Sequence, residues 1–210
     1  NFIKNKSDKM RILVIQQKMI GDVLISSLLC KNLKLWNPNI HVDYVANRHT
    51  LDVIRHNPYI DGVVVFEDHF KKNKFGLFQF LLHRRKQKYD YIIDAYGKLE
   101  SFLICLFTPA VQKIGYKKAL SPLVYDKEIK VLNVQDDTLQ LSIKNRFRLL
   151  APIMGDFPKN SEAEIHLTPE EIGISRGRLD AVLGKATKAI MVSALGSSKN
   201  KTYPFIITFN

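Results

Sequence analysis

The chain has 210 residues, 46% of them hydrophobic, and a formal net charge of +12 at pH 7. That length and apolar content exclude a disordered chain and allow one large domain, or one domain and part of a second. No apolar run is long enough to cross a bilayer, and Asn1 to Met10 lacks the apolar core of a secretory signal, while the charge calls for an anionic partner: nucleic acid, a phosphate-bearing substrate or an acidic membrane surface.

Ile12-Leu13-Val14-Ile15 is a short apolar run rich in β-branched residues, which reads as a strand buried on both faces. Gln16 to Met19 is a polar break. Ile20-Gly21-Asp22 then opens a helical pattern that runs to Trp36. Strand, tight turn and helix form the opening unit of a doubly wound α/β domain, where ligands sit beyond the carboxyl ends of the strands. Asp22 lies there. It can be a first-turn carboxylate that complements the helix dipole, or a general base facing a cleft. No G-x-G-x-x-G follows the strand, so this is not a dinucleotide fingerprint.

Ile40 to Ala46 reads as a second strand, Leu51 to His56 as a short helix stopped by Asn57-Pro58, and Val63 to Phe66 as a third strand. This alternation argues for a parallel sheet. Lys71 to Lys88 is a basic, amphipathic stretch with apolar residues between its lysines and arginines. Three readings fit it: a core-facing helix with solvated charges, a membrane-surface helix, or a phosphate-recognition cluster. No nucleic-acid reader motif appears, and the aromatics fall at core spacing.

Tyr89 to Ala95 is the fourth strand, Leu99 to Phe107 the next helix and Val111 to Tyr116 the fifth strand. A short strand fits Glu128 to Val131. Asp136-Asp137 is expected to open a helix through Met154, with the paired acids capping it rather than holding metal. Glu162 to Leu167 is expected to be extended. Thr168-Pro169-Glu170-Glu171 is a helix start, with Thr as N-cap, and that helix runs toward Gly184. Ala189 to Ser193 reads as a fresh strand, followed by a Gly-Ser-Ser loop and lysines that could present N–H groups, hydroxyls and charge to phosphate. Cys30 and Cys105 are isolated and read as core filler, consistent with the cytoplasm.

Several stretches together resemble glycosyltransferase family 9, which holds the ADP-heptose:lipopolysaccharide heptosyltransferases. They are Arg11 to Ile15 with Ile20-Gly21-Asp22-Val23, Asn57-Pro58-Tyr59-Ile60-Asp61 before a valine strand, and Lys201-Thr202-Tyr203-Pro204. Tyr203 stands where Trp is more usual. Glu100 stands where the family usually has a Lys or Arg, with Lys98 two residues earlier.

The resemblance implies a GT-B type fold. Residues 1–165 would form an acceptor-side Rossmann-like domain, and 166–210 a linker helix and the start of a truncated nucleotide-sugar domain. It implies inverting transfer of a sugar, heptose, from ADP-heptose to a phosphorylated glycolipid of the lipopolysaccharide core. Asp22 falls on the catalytic base. Ser197, Ser198 and Lys201 fall on the donor-phosphate site, and Lys71, Lys72, Lys74 and Lys98 are carried over as acceptor-binding. No metal and no other cofactor is expected, nor any nucleic-acid partner. The protein is expected to be a cytoplasmic monomer that touches the inner face of the anionic cytoplasmic membrane, and inactive as this truncated chain. The alternative reading is a non-catalytic membrane-surface or phosphoglycan-binding module.

Overall fold

In the computed structural model, Ile12, Leu13, Val14 and Ile15 have no solvent-exposed surface on either face. A strand of this kind needs neighbours on both edges and helices above and below it. The structure describes residues 9–134 and 139–184. In chain order the elements are β1 (Arg11–Ile15), α1 (Ile20–Trp36), β2 (His41–Asn47), β3 (Gly62–Phe66), α2 (Lys74–Arg84) and β4 (Tyr89–Asp94). They continue with α3 (Leu99–Phe107), β5 (Ala110–Tyr116), β6 (Lys127–Ile129), α4 (Leu141–Met154) and α5 (Pro169–Leu183).

The six strands form one sheet in the order β3-β2-β1-β4-β5-β6, and every pairing is parallel. Chain progression reverses direction between β1 and β4, so the carboxyl ends of those two strands flank a topological switch point. This is the α/β, doubly wound arrangement that the sequence pattern implies.

Alternation along β1 sends its side chains into two separate cores. Ile12 and Val14 join Leu29 and Leu33 of α1 and Phe147 and Leu150 of α4 on one face. Leu13 and Ile15 join Phe66, Leu81 of α2, and Phe102 and Cys105 of α3 on the other. Helices α1 and α4 therefore cover one side of the sheet, and α2 and α3 the other.

Two sequence expectations differ in detail. The short helix after β2 is a 3-10 turn at Arg48–Val53, not a helix from Leu51 to His56. Helix α4 begins at Leu141, and the aspartate pair Asp136-Asp137 lies outside the described residues. Glu162 to Leu167, expected to be extended, lies in neither a helix nor a sheet strand. At its start the chain is tied to α1, where Asn32 Nδ2 donates to Asn160 O (2.8 Å), Asn160 N donates to Asn32 Oδ1 (2.7 Å) and Lys31 Nζ pairs with Glu164 Oε1 (2.9 Å).

The chain divides into two units, Asn1–His166 and Leu167–Asn210. In the second, the described residues form α5. Its start carries reciprocal capping: Thr168 Oγ1 accepts from Glu171 N (3.2 Å), while Thr168 N donates to Glu171 Oε2 (2.8 Å). The strand expected at Ala189 to Ser193 lies outside the described residues.

Asp61 ties α1 to β2. Its carboxylate meets Lys34 Nζ at 2.6 Å and accepts from Val42 N at 2.7 Å. Partial burial alone would raise its pKa, but the Lys34 ammonium and the Val42 amide outweigh that and hold it below the ordinary 3.8. A carboxyl depressed in the folded state stabilises the fold above the unfolded value and loses that contribution as pH falls through the depressed one. Asp61→Asn is therefore expected to lower the melting temperature at neutral pH. It should also narrow the further drop on acidification below pH 3.8, as read by thermal melts across pH.

Candidate functional site

The loops after β1 and β4 part at the switch point. Gln16 N still donates to Val45 O (3.2 Å) on one side, and Ala95 N donates to Ile15 O (3.0 Å) on the other. Beyond them lies a cavity of about 350 Å³. Gln16, Lys18, Met19 and Asp22 line it from the β1 side, Ala95, Tyr96 and Lys98 from the β4 side, and Arg146 from α4. A larger cavity of about 510 Å³ lies at the opposite, amino ends of the strands, beside Arg11, Lys88 and Asp90. We place the site at the smaller one, because ligands of open α/β sheets bind at the carboxyl ends of the strands and the switch point is there.

Asp22 sits in the first turn of α1, directly after the break in the chain. Met19, the residue before that helix, has φ 65° and ψ 109°, and among the described residues it alone combines a positive φ with a side chain. Such backbone strain clusters at functional loops. The turn is held from below by Tyr44, whose buried hydroxyl donates to Val23 O at 3.0 Å.

The Asp22 side chain is 47% exposed, whereas that of its partner Arg146 is only 10% exposed. Arg146 Nη2 donates to Asp22 Oδ1 at 2.6 Å, Nε donates to Ser26 Oγ at 2.7 Å and Nη1 donates to Ser142 O at 3.0 Å. The guanidinium is thus fixed by α1 and by its own helix, and it fixes one carboxylate oxygen in turn. Asp22 Oδ2 accepts no bond from the described residues, in a side chain that lines the cavity. Nearby, burial pushes the Tyr116 hydroxyl up to about 12, with Arg146 pulling the other way.

The opposite wall rests on Asp94, the last residue of β4, which is fully buried. It accepts from Tyr125 Oη (2.6 Å), Gly97 N (2.8 Å) and Tyr96 N (2.9 Å). Burial pushes its carboxyl up, against the pull of those donors. The carboxylate therefore shapes the Tyr96-Gly97-Lys98 loop and does not reach the solvent. Gly97 adopts φ +58°, which lets that loop turn. Gly115 on β5 is a second required glycine, since a Cβ there would lie 2.3 Å from the Tyr125 ring.

Cations surround the opening. Lys98 is exposed at the start of α3 and lines the cavity with Asp22. Lys18 Nζ pairs with Glu100 Oε1 at 2.9 Å and lies 5.7 Å from the centre of the Tyr96 ring. Lys118 Nζ donates to Gly97 O at 2.6 Å. Its pKa is lowered, first by burial and then by the neighbouring Lys98. Among the described residues no group of three His, Cys, Asp or Glu side chains is placed to hold a metal.

Of the expected site residues, the structure brings Asp22 and Lys98 to one cavity. Lys72 and Lys74 are exposed at the start of α2 and do not line it. The side chain of Lys71 lies outside the described residues, as do Ser197, Ser198 and Lys201. Sequence reasoning passed over Arg146, although a signal was present: it interrupts the apolar stripe of α4 at Ile143, Arg146, Leu150 and Ile153. It also read Glu100 as a gap in the basic wall, where the structure has it engaging Lys18.

The sequence pattern of glycosyltransferase family 9 (heptosyltransferase) matches residues 79–205. The chain belongs to glycosyltransferase family 9. The matched stretch contains Lys98, Arg146 and residues Ser197 to Lys201, and begins beyond Asp22. Among solved structures, the glycosyltransferase family 9 protein of Veillonella parvula is 19% identical, with a TM-score of 0.67, covering 85% of this chain and 51% of that one. The E. coli heptosyltransferase WaaC bound to ADP is 20% identical, with a TM-score of 0.60, covering 73% and 50%. The E. coli ADP-heptose lipopolysaccharide heptosyltransferase II is 16% identical, with a TM-score of 0.58, covering 81% and 50%. These likenesses show the fold, and the chain spans about half the length of each. No curated protein sequence matches it.

For this family 9 chain, Arg146→Met is expected to lower the free energy of unfolding by about 1–3 kcal/mol, since it removes charge-assisted bonds to Asp22, Ser26 and Ser142 together. Ser26→Ala should cost less than half as much. Urea denaturation of the three forms checks the order.

Proposed function

We propose that this chain is the acceptor-side half of an inverting glycosyltransferase. It would move heptose from ADP-heptose to a phosphorylated glycolipid of the lipopolysaccharide core, at the cytoplasmic face of the membrane. The observation that carries the reading is Asp22 at the switch-point cavity, with one oxygen held by Arg146 and the other without a partner among the described residues. Membership of family 9 supports sugar transfer. The WaaC structures with ADP and with ADP-2-deoxy-2-fluoro heptose support a nucleotide-sugar donor of that kind.

In this mechanism the acceptor hydroxyl hydrogen-bonds to Asp22 Oδ2 and gives up its proton there as its oxygen attacks the anomeric carbon. The new glycosidic bond forms on one face of the sugar while the bond to the diphosphate breaks on the other. The leaving group carries away that electron pair, and configuration inverts once. Arg146 keeps the carboxylate pointed at the hydroxyl, which places the reacting groups before the step begins. Lys98 and Lys18 present positive charge at the cavity mouth for the anionic groups of the acceptor. By family resemblance, Lys201, Ser197 and Ser198 take up the charge that grows on the diphosphate, in place of a metal ion.

In a form of the protein that contains both halves, Asp22→Asn is expected to lower kcat by about 10²–10⁴-fold with little change in KM, because it removes only the proton acceptor. Steady-state transfer assays, with circular dichroism showing that the variant keeps the parent's fold, check this. Turnover equal to that of the parent protein overturns the base assignment.

A further inference from the structure

Helix α2 has two apolar faces, and the sheet explains only one. Leu77, Phe80 and Leu81 pack inward, beside the core that holds Phe66 and Ile92. On the other side Phe75, Phe78 and Leu82 recur at i, i+3 and i+7 and are 69%, 51% and 39% exposed. Its neighbour α3 repeats the pattern. Phe102 and Cys105 are buried, while Leu99 and Leu106 are 66% and 52% exposed. The two helices pack against each other and cover the same face of the sheet, so their outer stripes look the same way. Single exposed apolar residues need no explanation, but a run of them across two adjoining helices does.

The charge along α2 has one sign, whereas Glu100 stands in the first turn of α3 and Asp68 just ahead of α2. From Lys71 to Lys88 the sequence has no acidic residue. Lys72 and Lys74 stand at the amino end of α2, and Arg85, Lys86 and Lys88 stand beyond its carboxyl end, all exposed. Helices that follow parallel strands begin at the carboxyl edge of the sheet. Phe75 and Leu99 therefore sit at the same edge as the cavity.

Aromatic and aliphatic side chains framed by lysines and arginines match one surface chemistry: an anionic lipid interface, apolar below the headgroups and negative at them. A second copy of the chain fits poorly, because it would bring two acid-free basic stretches together. We propose that the outer faces of α2 and α3, through Phe75, Phe78, Leu82, Leu99 and Leu106, dock on an anionic bilayer, with the basic residues at both ends of α2 drawn to its headgroups. This contact goes beyond the transfer reaction and does not depend on it. No helix among the described residues is long and apolar enough to cross a membrane, so the contact is peripheral.

The test is flotation of the 210-residue chain with vesicles of phosphatidylcholine, alone or mixed with phosphatidylglycerol, without any sugar donor. The chain is expected to float with the mixed vesicles and not with the neutral ones, and to bind less at high salt. Phe75→Ser with Phe78→Ser is expected to weaken binding about tenfold or more, by removing two aromatic side chains from the interface. Lys72→Glu with Lys74→Glu and Lys86→Glu should weaken it at least as much. Asp22→Asn should bind as the parent chain does, which separates this surface from the proposed catalytic step.

Phe75→Trp adds a local reporter whose indole emission should shift to the blue on mixed vesicles. Three results overturn the proposal: no binding to mixed vesicles, binding untouched by the Phe75 and Phe78 changes while the doubly substituted chain keeps the parent's circular dichroism, or no blue shift from the Phe75→Trp reporter. So does a concentration-dependent dimer, seen by sedimentation, that the Phe75 and Phe78 changes disperse, since a second copy would then be the occupant.

Discussion

A strand with no exposed face has to be covered on every side, and β1 is that strand. Its four fully buried residues need a hydrogen-bonded neighbour on each edge and a helix layer on each face. Parallel neighbours require long crossovers, and right-handed crossovers put α1 on one face and α2 and α3 on the other, while α4, which follows β6, packs beside α1. The order β3-β2-β1-β4-β5-β6 follows from winding outward from β1 in both directions. The opening at the carboxyl ends of β1 and β4 is the geometric remainder of that winding, and the candidate site occupies it.

What turns the opening into a chemical site is a set of polar side chains with unequal burial. Arg146 is nearly enclosed and bonded by three of its nitrogens, so it behaves as part of the frame. Asp22 is half exposed, and among the described residues only its Oδ1 has a hydrogen-bond partner. On the facing wall the roles are reversed: the carboxylate of Asp94 is the enclosed group, and the exposed ones are the loop residues it organises. The two aspartates thus differ in surroundings: one side chain is half exposed, and the other faces Tyr125 and backbone amides.

The rim of the cavity is more compensated than net charge suggests. Lys18 is engaged by Glu100, and Lys118 by a backbone carbonyl. Lys98 is the exposed cation of the wall. The basic residues of the α2 region stand away from the cavity, beside apolar side chains that the sheet does not need. A strongly positive chain can therefore divide its charge between a small polar opening and a broad external surface, and the two need not share a ligand.

Local pattern alone was enough for the six strands of the sheet and most of the described helices, since period-two and period-3.6 repeats and their breakers are written in consecutive residues. It placed Asp22 in the turn after the first strand, and it identified the Thr168 cap from four residues. Where it missed, the missing term was a distant partner. Leu51 to His56 has helical composition, but Thr50 and Asn47 bond back to the loop after β1 and wind the segment more tightly. Arg146 lies 124 positions from Asp22, and no spacing rule joins them. The sequence by itself determined that a carboxylate would stand at the end of a buried strand. Only the tertiary structure decided that an enclosed arginine would hold one of its oxygens, because that depends on how α4 packs against α1.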